Sequence, residues 1–431
     1  MELIYQVLPR CWGKGGFSDW DKPAFDYLKA LGITCIWYTG IIRHSTGKPY
    51  VKGNPGSPYS ISDYRDVNPY LAASEATRMR EFRSLVRRTH AAGMKVLIDL
   101  VPNHVSPDCR DVPTLDRCDY DWTDTRKIDY SRREAWDAML DIALFWAEKG
   151  IDGFRCDMVE MVPSEFMAFL IAGVKKKYPS FLFVAEVYDR NNYRRYIDGV
   201  GFDLLYDKSG WYDSVRAIMC SGASARALTW NWQFLQDMQP RMLNFLENHD
   251  EQRLASHFFA SDARKGYAAL AAGALFNGAS FMLYSGQELG ESAPEGHEGR
   301  TSIFNTAHPG SLVRLCSDIS GLSGLRKKEL AVLERYRSIL SHCAEPVFRE
   351  GKTYDLCWCN EERINPDRHF AFLRYREGEA SLVFCNFSDS PAKADLILPE
   401  DLRAQIPGCP SHASVRARAW DAAIICISLQ R

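Results

Sequence analysis

The chain has 431 residues, of which 46% are hydrophobic and 25% are charged. This length can hold a barrel of ordinary size and one smaller domain, and this composition excludes a largely disordered protein. The chain has 53 Lys and Arg residues against 55 Asp and Glu residues, a formal net charge of −2. Such a charge offers no positive field for a polyanion, so nucleic acid is excluded as an expected partner.

The N-terminal residues Met1–Gln6 lack the basic and long apolar segments of a signal peptide, and no apolar stretch reaches membrane-spanning length. We therefore expect no membrane partner and a cytoplasmic location. The 13 cysteines are scattered and form no paired Cys-x-x-Cys motifs. This pattern favours reduced thiols that act as small apolar residues over a zinc site.

Short apolar segments alternate with longer helical patterns along roughly the first two thirds of the chain, which is typical of parallel βα units. Eight segments are predicted as strands: Leu3–Leu8, Ile33–Tyr38, Lys95–Val101, Gly153–Cys156, Phe181–Glu186, Phe202–Tyr206, Met242–Glu247 and Ser280–Tyr284. Eight parallel strands are the number that closes a (β/α)8 TIM barrel.

Helix boundaries between these strands can be read from single residues. Pro23 and Gly32 mark the beginning and end of the first helix, since proline is favoured in the first turn and glycine after the last. The segment Ser131–Glu134 predicts a capping box ahead of a helix over Ala135–Lys149.

The end of the chain has a different pattern. Strands are predicted at His369–Arg374, Ala380–Phe387 and Ala423–Leu429. We therefore expect a catalytic barrel over residues 1–330 and a small C-terminal antiparallel β-sandwich domain over residues 331–431. The connections 39–59 and 102–130 are too long for simple loops, and the second is predicted to be a short inserted subdomain. Long insertions normally lie on the catalytic face of a barrel.

Polar clusters stand at the ends of four predicted strands: Asp99–His104, Asp152–Asp157, Val184–Glu186 and Glu247–Asp250. A single carboxylate at a strand end is weak evidence, because turns collect Asp residues for local hydrogen bonding. The C-terminal ends of barrel strands form the face on which active sites lie, so four such clusters indicate a catalytic site.

The motifs Asp-x-x-x-Asn-His, Gly-Phe-Arg-x-Asp, a Glu on the next strand and Asn-His-Asp resemble the four signature regions of the α-amylase family of glycoside hydrolases. The segments Tyr59–Tyr64 and Tyr284–Glu288 match the family as well, and the resemblance covers Leu3 to about Asn305. It implies a retaining α-glycosidase that hydrolyses α-1,4-glucosidic bonds in maltodextrins or starch fragments. An α-glucan or malto-oligosaccharide is then the expected partner.

The resemblance implies that Asp157 is the nucleophile, Glu186 the general acid/base and Asp250 the carboxylate that stabilises the transition state. A retaining mechanism needs two carboxyl groups about 5–5.5 Å apart. The transition state resembles an oxocarbenium cation, so a third anion beside it lowers the barrier. Arg155 precedes Asp157 by two residues on the same face of a strand, and we expect it to keep the nucleophile ionised.

The supporting residues follow from the same matching. Tyr59, His104, Arg155 and His249 are expected to bind substrate, and Arg300 is a further candidate. Asp63 and Asp99 are expected to brace Arg155 and neighbouring loops.

No organic cofactor is expected to be required, but a structural calcium ion is a candidate. Asn103 matches a calcium ligand of some relatives. Four carboxylates of the inserted segment could complete an oxygen cage: Asp108, Asp111, Asp116 and Asp119.

Two departures from the family pattern leave the reaction open. Met158–Met161 replaces the Lys-His pair found in many endo-acting amylases, and Val187–Tyr188 stands where many relatives have Trp. Alternatives with the same triad are a glucanotransferase and a sucrose- or trehalose-active enzyme. A non-catalytic sugar-binding relative, and an unrelated metal-dependent hydrolase built on His104 and His249, also remain.

Overall fold

Eight parallel strands close into a barrel in the computed structural model, which describes residues 1–304 and 308–429. The strands are Leu3–Val7, Cys35–Tyr38, Lys95–Leu100, Gly153–Cys156, Leu182–Ala185, Leu204–Tyr206, Met242–Phe245 and Ser280–Tyr284. Their spatial order follows the chain, and the first strand pairs with the eighth. The predicted (β/α)8 barrel is confirmed. Asn305, where the predicted resemblance ends, lies outside the described residues.

Several predicted strands extend beyond the observed ones. Leu8, for example, continues the apolar run of the first strand, but the chain turns there into the short helix Pro9–Cys11. Hydrophobicity continues past the strand because Leu8 is also buried, in a small cluster with Cys11 and Tyr284. Inside the barrel, apolar side chains from the strands form a separate cluster: Ile4, Cys35, Trp37, Leu97, Val184, Leu204, Tyr206, Leu243, Phe245 and Met282.

The helices that surround the barrel and follow its last strand are Lys22–Ala30, Arg78–Ala91, Arg133–Glu148, Ser164–Lys177, Asp213–Ser221, Arg226–Leu235, Tyr267–Leu275, Gly310–Ser317 and Lys327–Ser341. Gly32, with φ at 78°, follows the first helix as expected. The capping box predicted at Ser131 is wrong. The Ser131 hydroxyl donates to Asp129 Oδ1 at 2.6 Å, and the helix begins at Arg133 without a side-chain cap.

Two antiparallel sheets end the chain, which confirms the expected C-terminal sheet domain. Lys352–Asp355, His369–Arg376, Glu379–Asn386 and Ala422–Cys426 form one sheet, and Ala392–Ile397 pairs with His412–Ala417 in the other. Short helices lie at Pro346–Arg349 and Glu400–Gln405. The boundary predicted at residue 330 falls inside helix Lys327–Ser341, which packs Tyr336 against Tyr267; the division itself stays a prediction.

The two long connections each contain a two-stranded antiparallel sheet. Ile42–His44 pairs with Ile61–Val67, and His104–Val105 pairs with Arg126–Lys127. Both follow the C-terminal ends of barrel strands, so they lie on the face that carries the polar clusters. Within residues 1–304 and 308–429, no helix has the length and apolarity needed to cross a membrane.

Candidate active site

Strand register brings the predicted catalytic residues together at the C-terminal end of the barrel. Asp99 lies opposite Arg155 in the pairing of the third and fourth strands. Asp157 directly follows the fourth strand, and Glu186 directly follows the fifth. Arg155, Asp157 and Glu186 expose 1%, 6% and 3% of their surface. These charges lie out of bulk water, where each interacts strongly with the others.

Arg155 is the centre of this cluster. Its Nη1 lies 2.5 Å from Asp157 Oδ1 and 3.6 Å from Asp99 Oδ1, and its Nη2 lies 2.7 Å from Glu186 Oε1. The contact with Asp157 is a hydrogen bond, whereas the contact with Glu186 is an ion pair without hydrogen-bond alignment. One guanidinium group therefore spans the gap between Asp157 and Glu186. This arrangement fits the short carboxyl separation of retaining glycosidases.

The carboxyl groups around Arg155 cannot all be ionised easily, because one cation serves several buried acids. Burial raises the pKa of Glu186 to about 7, against the opposing effect of Arg155 and with help from Asp157 and Asp250. Burial also raises the pKa of Asp157. Asp157 accepts the hydrogen bond from Arg155 and Glu186 does not. A proton held by this cluster is therefore favoured on Glu186.

The backbone after Asp157 also contacts Glu186. Met158 adopts a left-handed conformation, with φ at 46° and ψ at 43°, which costs a non-glycine residue roughly 1–3 kcal/mol. This turn allows the Met158 N–H to donate to Glu186 Oε2 at 2.8 Å. The Tyr188 hydroxyl donates to Glu186 Oε1 at 3.0 Å. Sequence reasoning gave Tyr188 no role, although its departure from Trp was the available signal.

His249 and Tyr59 form a stacked pair beside these acids, with ring centroids 5.2 Å apart. Tyr59 Oη lies 2.6 Å from His249 Nε2, and the Gln6 amide nitrogen lies 2.7 Å from Nδ1. Burial lowers the pKa of His249 to about 3, so the ring is neutral. Since Gln6 donates to Nδ1, the proton of this ring is on Nε2. Gln6 was missed from the sequence, and its only signal was a polar residue in an apolar strand.

His104 is a second buried histidine of the site. Burial lowers its pKa to about 4, and its Nδ1 lies 3.1 Å from the amide nitrogen of Asn103. A cavity of about 510 Å³ joins the site residues, within the usual range for small-ligand sites. Seven predicted site residues line it: Tyr59, His104, Asp157, Glu186, His249, Asp250 and Arg300. Arg155 lies beneath them, with its Cζ 5.6 Å from the Tyr59 ring.

Arg300, Asp99 and Asp63 occupy different positions relative to this centre. The Arg300 Nε donates to the Asp250 backbone carbonyl at 2.9 Å. Asp99 contacts Arg155 and accepts a hydrogen bond from Trp37 Nε1 at 3.1 Å. Asp63 lies in the hairpin strand Ile61–Val67 and accepts from the Arg65 N–H. Asp63 therefore contacts its own connection and does not pair with Arg155, and its support of neighbouring loops stays a prediction.

The residues around Asn103 do not fit a calcium site. Asn103 Oδ1, the oxygen expected to bind the metal, accepts a hydrogen bond from Lys127 Nζ at 3.0 Å, and Asp119 accepts one at 2.7 Å. The other three candidate ligands have separate partners: Ser45 for Asp108, the Tyr64 backbone for Asp111 and Arg126 for Asp116. Among the residues the structure describes, no three His, Cys, Asp or Glu side chains are grouped to hold a metal ion.

Curated relatives of similar sequence are longer than this chain. The α-1,4-glucan:maltose-1-phosphate maltosyltransferase of Cereibacter sphaeroides is 25% identical over 344 residues, covering 70% of this chain and 54% of that protein. The α-amylase MalA of Haloarcula japonica is 26% identical over 429 residues, covering 91% of this chain and 56% of that protein. The chain thus spans about half the length of the curated relatives it matches.

Solved structures and a family model agree with the observed architecture. The crystal structure of an α-amylase from Lactobacillus plantarum superimposes with a TM-score of 0.72 at 22% identity, covering 99% of this chain and 98% of that one. At this identity the likeness concerns the fold. The model of the α-amylase catalytic domain matches residues 22–114 and 118–308. The chain belongs to the α-amylase family of glycoside hydrolases.

Proposed function

We propose that this protein is a retaining α-glycosidase that hydrolyses α-1,4-glucosidic bonds in maltodextrins or starch fragments. The observation that carries the proposal is the placement of Asp157 and Glu186 on the two terminal nitrogens of Arg155. Two carboxyl groups at such short separation suit a double displacement, whereas an inverting enzyme needs a wider gap to admit water.

In the first step, the Asp157 carboxylate attacks the anomeric carbon while Glu186 gives its proton to the glycosidic oxygen. The bond to the leaving sugar breaks, and a covalent glycosyl–enzyme forms. In the second step, Glu186 takes a proton from water as the water oxygen attacks the anomeric carbon, and Asp157 departs as a carboxylate. The configuration is inverted twice and is therefore retained.

Electrostatics support this division of roles. Glu186, whose pKa is about 7, carries the proton that the leaving oxygen needs. Asp157 accepts the hydrogen bond from Arg155 and is the acid best held as an anion. Asp250 stands beside His249 in the cavity and places a third carboxylate against the positive charge that develops on the sugar ring.

The choice of an α-1,4-glucan draws on the relatives and on the cavity lining. The relatives from C. sphaeroides and H. japonica are a glucan maltosyltransferase and an α-amylase. Tyr59, His104 and His249 line the cavity and offer one aromatic face and two neutral imidazoles. Such groups suit an uncharged sugar ring and its hydroxyls. A second candidate is transfer of the glycosyl unit to a sugar acceptor, which the maltosyltransferase relative favours.

Product analysis tests both candidates. The protein is incubated in parallel with maltoheptaose, sucrose and trehalose, the products are separated by chromatography, and the first anomer released is followed by NMR. We expect shorter malto-oligosaccharides from maltoheptaose, released as α-anomers. Accumulation of oligosaccharides longer than the substrate would show that the protein transfers glycosyl units and would overturn the proposal of hydrolysis. Release of β-anomers would reject the retaining mechanism.

Two variants test the residue roles. Asp157→Asn and Glu186→Gln should each lower kcat by about 10⁴-fold or more while the fold is kept, because each removes a group that the reaction itself uses. Asp137→Asn is a suitable control, since this residue lies on the exposed face of helix Arg133–Glu148 and pairs with Arg133. Near wild-type rates in either catalytic variant would reject the assignment.

A further inference from the structure

Lys127 occupies the position in which the family resemblance implies a metal. Its ammonium group is surrounded by three oxygen atoms: Asp119 Oδ2 at 2.7 Å, Asn103 Oδ1 at 3.0 Å and the Met161 carbonyl at 3.5 Å. These atoms come from the third-strand connection and from the turn after Asp157. An ammonium group carries three donors and one positive charge, so it can join the same elements without an ion.

Asp119, the acidic partner of Lys127, is held as an anion by its contacts. Asp119 Oδ2 also accepts a hydrogen bond from the Asn103 amide nitrogen at 2.9 Å, while Oδ1 faces Arg117 at 3.7 Å. Burial alone would raise the pKa of Asp119, but the hydrogen bonds from Lys127 and Asn103 outweigh it and hold that pKa below its ordinary value. The Lys127 and Asp119 side chains are only 18% and 10% exposed, so solvent screens their attraction weakly.

The contacts of Asn103 link this cluster to the cavity. With its oxygen facing Lys127, the amide presents its nitrogen to His104 Nδ1 at 3.1 Å. An amide nitrogen can only donate, so Nδ1 must accept and the proton of the neutral ring is on Nε2. His104 lines the cavity, where an Nε2–H group can donate to a sugar hydroxyl. His104 and Lys127 also face each other in register across their two-stranded sheet.

We propose that Lys127 serves as a built-in cation in place of calcium, and that it is a positioning residue which sets the orientation of Asn103 and thereby the tautomer of His104. The arrangement makes the shape of the catalytic face independent of divalent metal. Only the kinetic part of this inference rests on the proposed function.

Chelation tests the metal independence directly. Thermal unfolding and kcat/KM of the wild-type protein are measured with EDTA and with added calcium, and we expect the same values in both conditions. A fall in Tm or in kcat/KM on chelation that calcium restores would overturn the proposal, because it would show that an ion does the work assigned to Lys127.

Lys127→Met tests the positioning role. It keeps the length of the side chain but removes the charge and the donors. We expect a lower Tm, a loss of roughly tenfold in kcat/KM and a change in the side-chain ¹⁵N NMR signals of His104, because the Asn103 amide is free to turn. Lys127→Arg, which keeps the charge and the donors, should recover part of both the signal and the rate.

Lys175→Met is the matched control. Lys175 lies 2.6 Å from Asp203, and the two side chains are 27% and 28% exposed, so they form a comparable partly buried pair away from the cavity. We expect this variant to lower Tm without changing the His104 signals or kcat/KM. Unchanged His104 signals in Lys127→Met would overturn the positioning role. The NMR and unfolding measurements need no turnover, so a failure of the proposed function would be seen separately, as absent activity in the wild type.

Discussion

Arg155 and Arg374 are both almost completely buried, and their surroundings are opposite. Arg155 in the barrel is surrounded by carboxyl groups, and three of them lie within 4 Å: Asp99, Asp157 and Glu186. Arg374 in the C-terminal sheet forms no ion pair with any residue the structure describes. It donates instead to the Thr353 hydroxyl and to four backbone carbonyls, those of Phe276, Val347, Phe348 and Gly351.

The difference separates a reactive environment from a structural one. Burial lowers the pKa of Arg374 to about 10. The carbonyl groups around it compensate its charge by their dipoles, and a carbonyl group does not titrate as a carboxyl group does. The Phe276 carbonyl lies at the end of helix Tyr267–Leu275, so Arg374 joins the C-terminal sheet to the barrel through a helix terminus. Around Arg155, in contrast, negative charge exceeds positive charge. This excess favours a proton on one of the carboxyl groups, as the proposed mechanism requires.

Removing the charge of Arg155 should have the largest effect on activity. Arg155→Met leaves Asp99, Asp157 and Glu186 without their shared cation, so more of them become protonated and Asp157 loses its hydrogen bond. We expect kcat/KM to fall by about 10³-fold or more. Arg155→Lys keeps the charge but offers a single point of contact and should retain part of the activity. A Met variant within tenfold of the wild type would contradict the central role of Arg155.

Removing the charge of Arg374 should instead change stability. Arg374→Met leaves several buried carbonyls without donors, and we expect a loss of about 3 kcal/mol in the free energy of unfolding, measured by urea denaturation. The kcat/KM of the folded protein should not change. Arg376→Met is the matched control on the same strand, because Arg376 is 38% exposed and pairs only loosely with Glu350 and Glu379. Its loss should cost about 0.5 kcal/mol or less.

The pH profile measures how far the acid cluster departs from ordinary carboxyl behaviour. Since the proposed acid, Glu186, must be protonated to act and its pKa is about 7, kcat/KM should fall as pH rises above that value. The Tyr188 hydroxyl donates to Glu186 and thereby favours the ionised carboxylate, and Tyr188→Phe removes this hydroxyl. In this variant, the apparent pKa of the alkaline limb of the kcat/KM profile should rise by less than about one unit. Tyr120→Phe, on an exposed residue, should leave the profile unchanged.

The smallest effect is expected from an ion pair at the edge of the cavity. Lys52 lies 3.6 Å from Asp124 and donates to the Asp121 carbonyl at 2.9 Å, which joins the two long connections. Its side chain is 36% exposed, so Lys52→Ala should lower the free energy of unfolding by only about 0.5 kcal/mol. Lys48→Ala in the same connection serves as the control. If Lys52→Ala lowered the free energy of unfolding as much as Arg374→Met, the exposure of a cation would not predict its contribution to stability.

Local sequence patterns predicted the barrel and the position of its acids. Alternating apolar segments indicated eight strands, and Asp157, Glu186 and Asp250 follow strand ends where a parallel barrel must gather them. These features follow from short-range periodicity, which neighbouring residues in the chain determine. The wrong capping box also has a local cause, because the Ser131 hydroxyl had a better partner in Asp129.

The sequence by itself determined the fold class, because hydrophobic periodicity is a property of short segments. Its strand-end motifs carried the family resemblance that implied the type of chemistry. Only the tertiary structure decided the partners of the site. Gln6 meets His249 across 243 positions, and Lys127 stands where Asn103 suggested calcium. Such contacts depend on distances between side chains that only the folded chain brings together, and no local pattern encodes them.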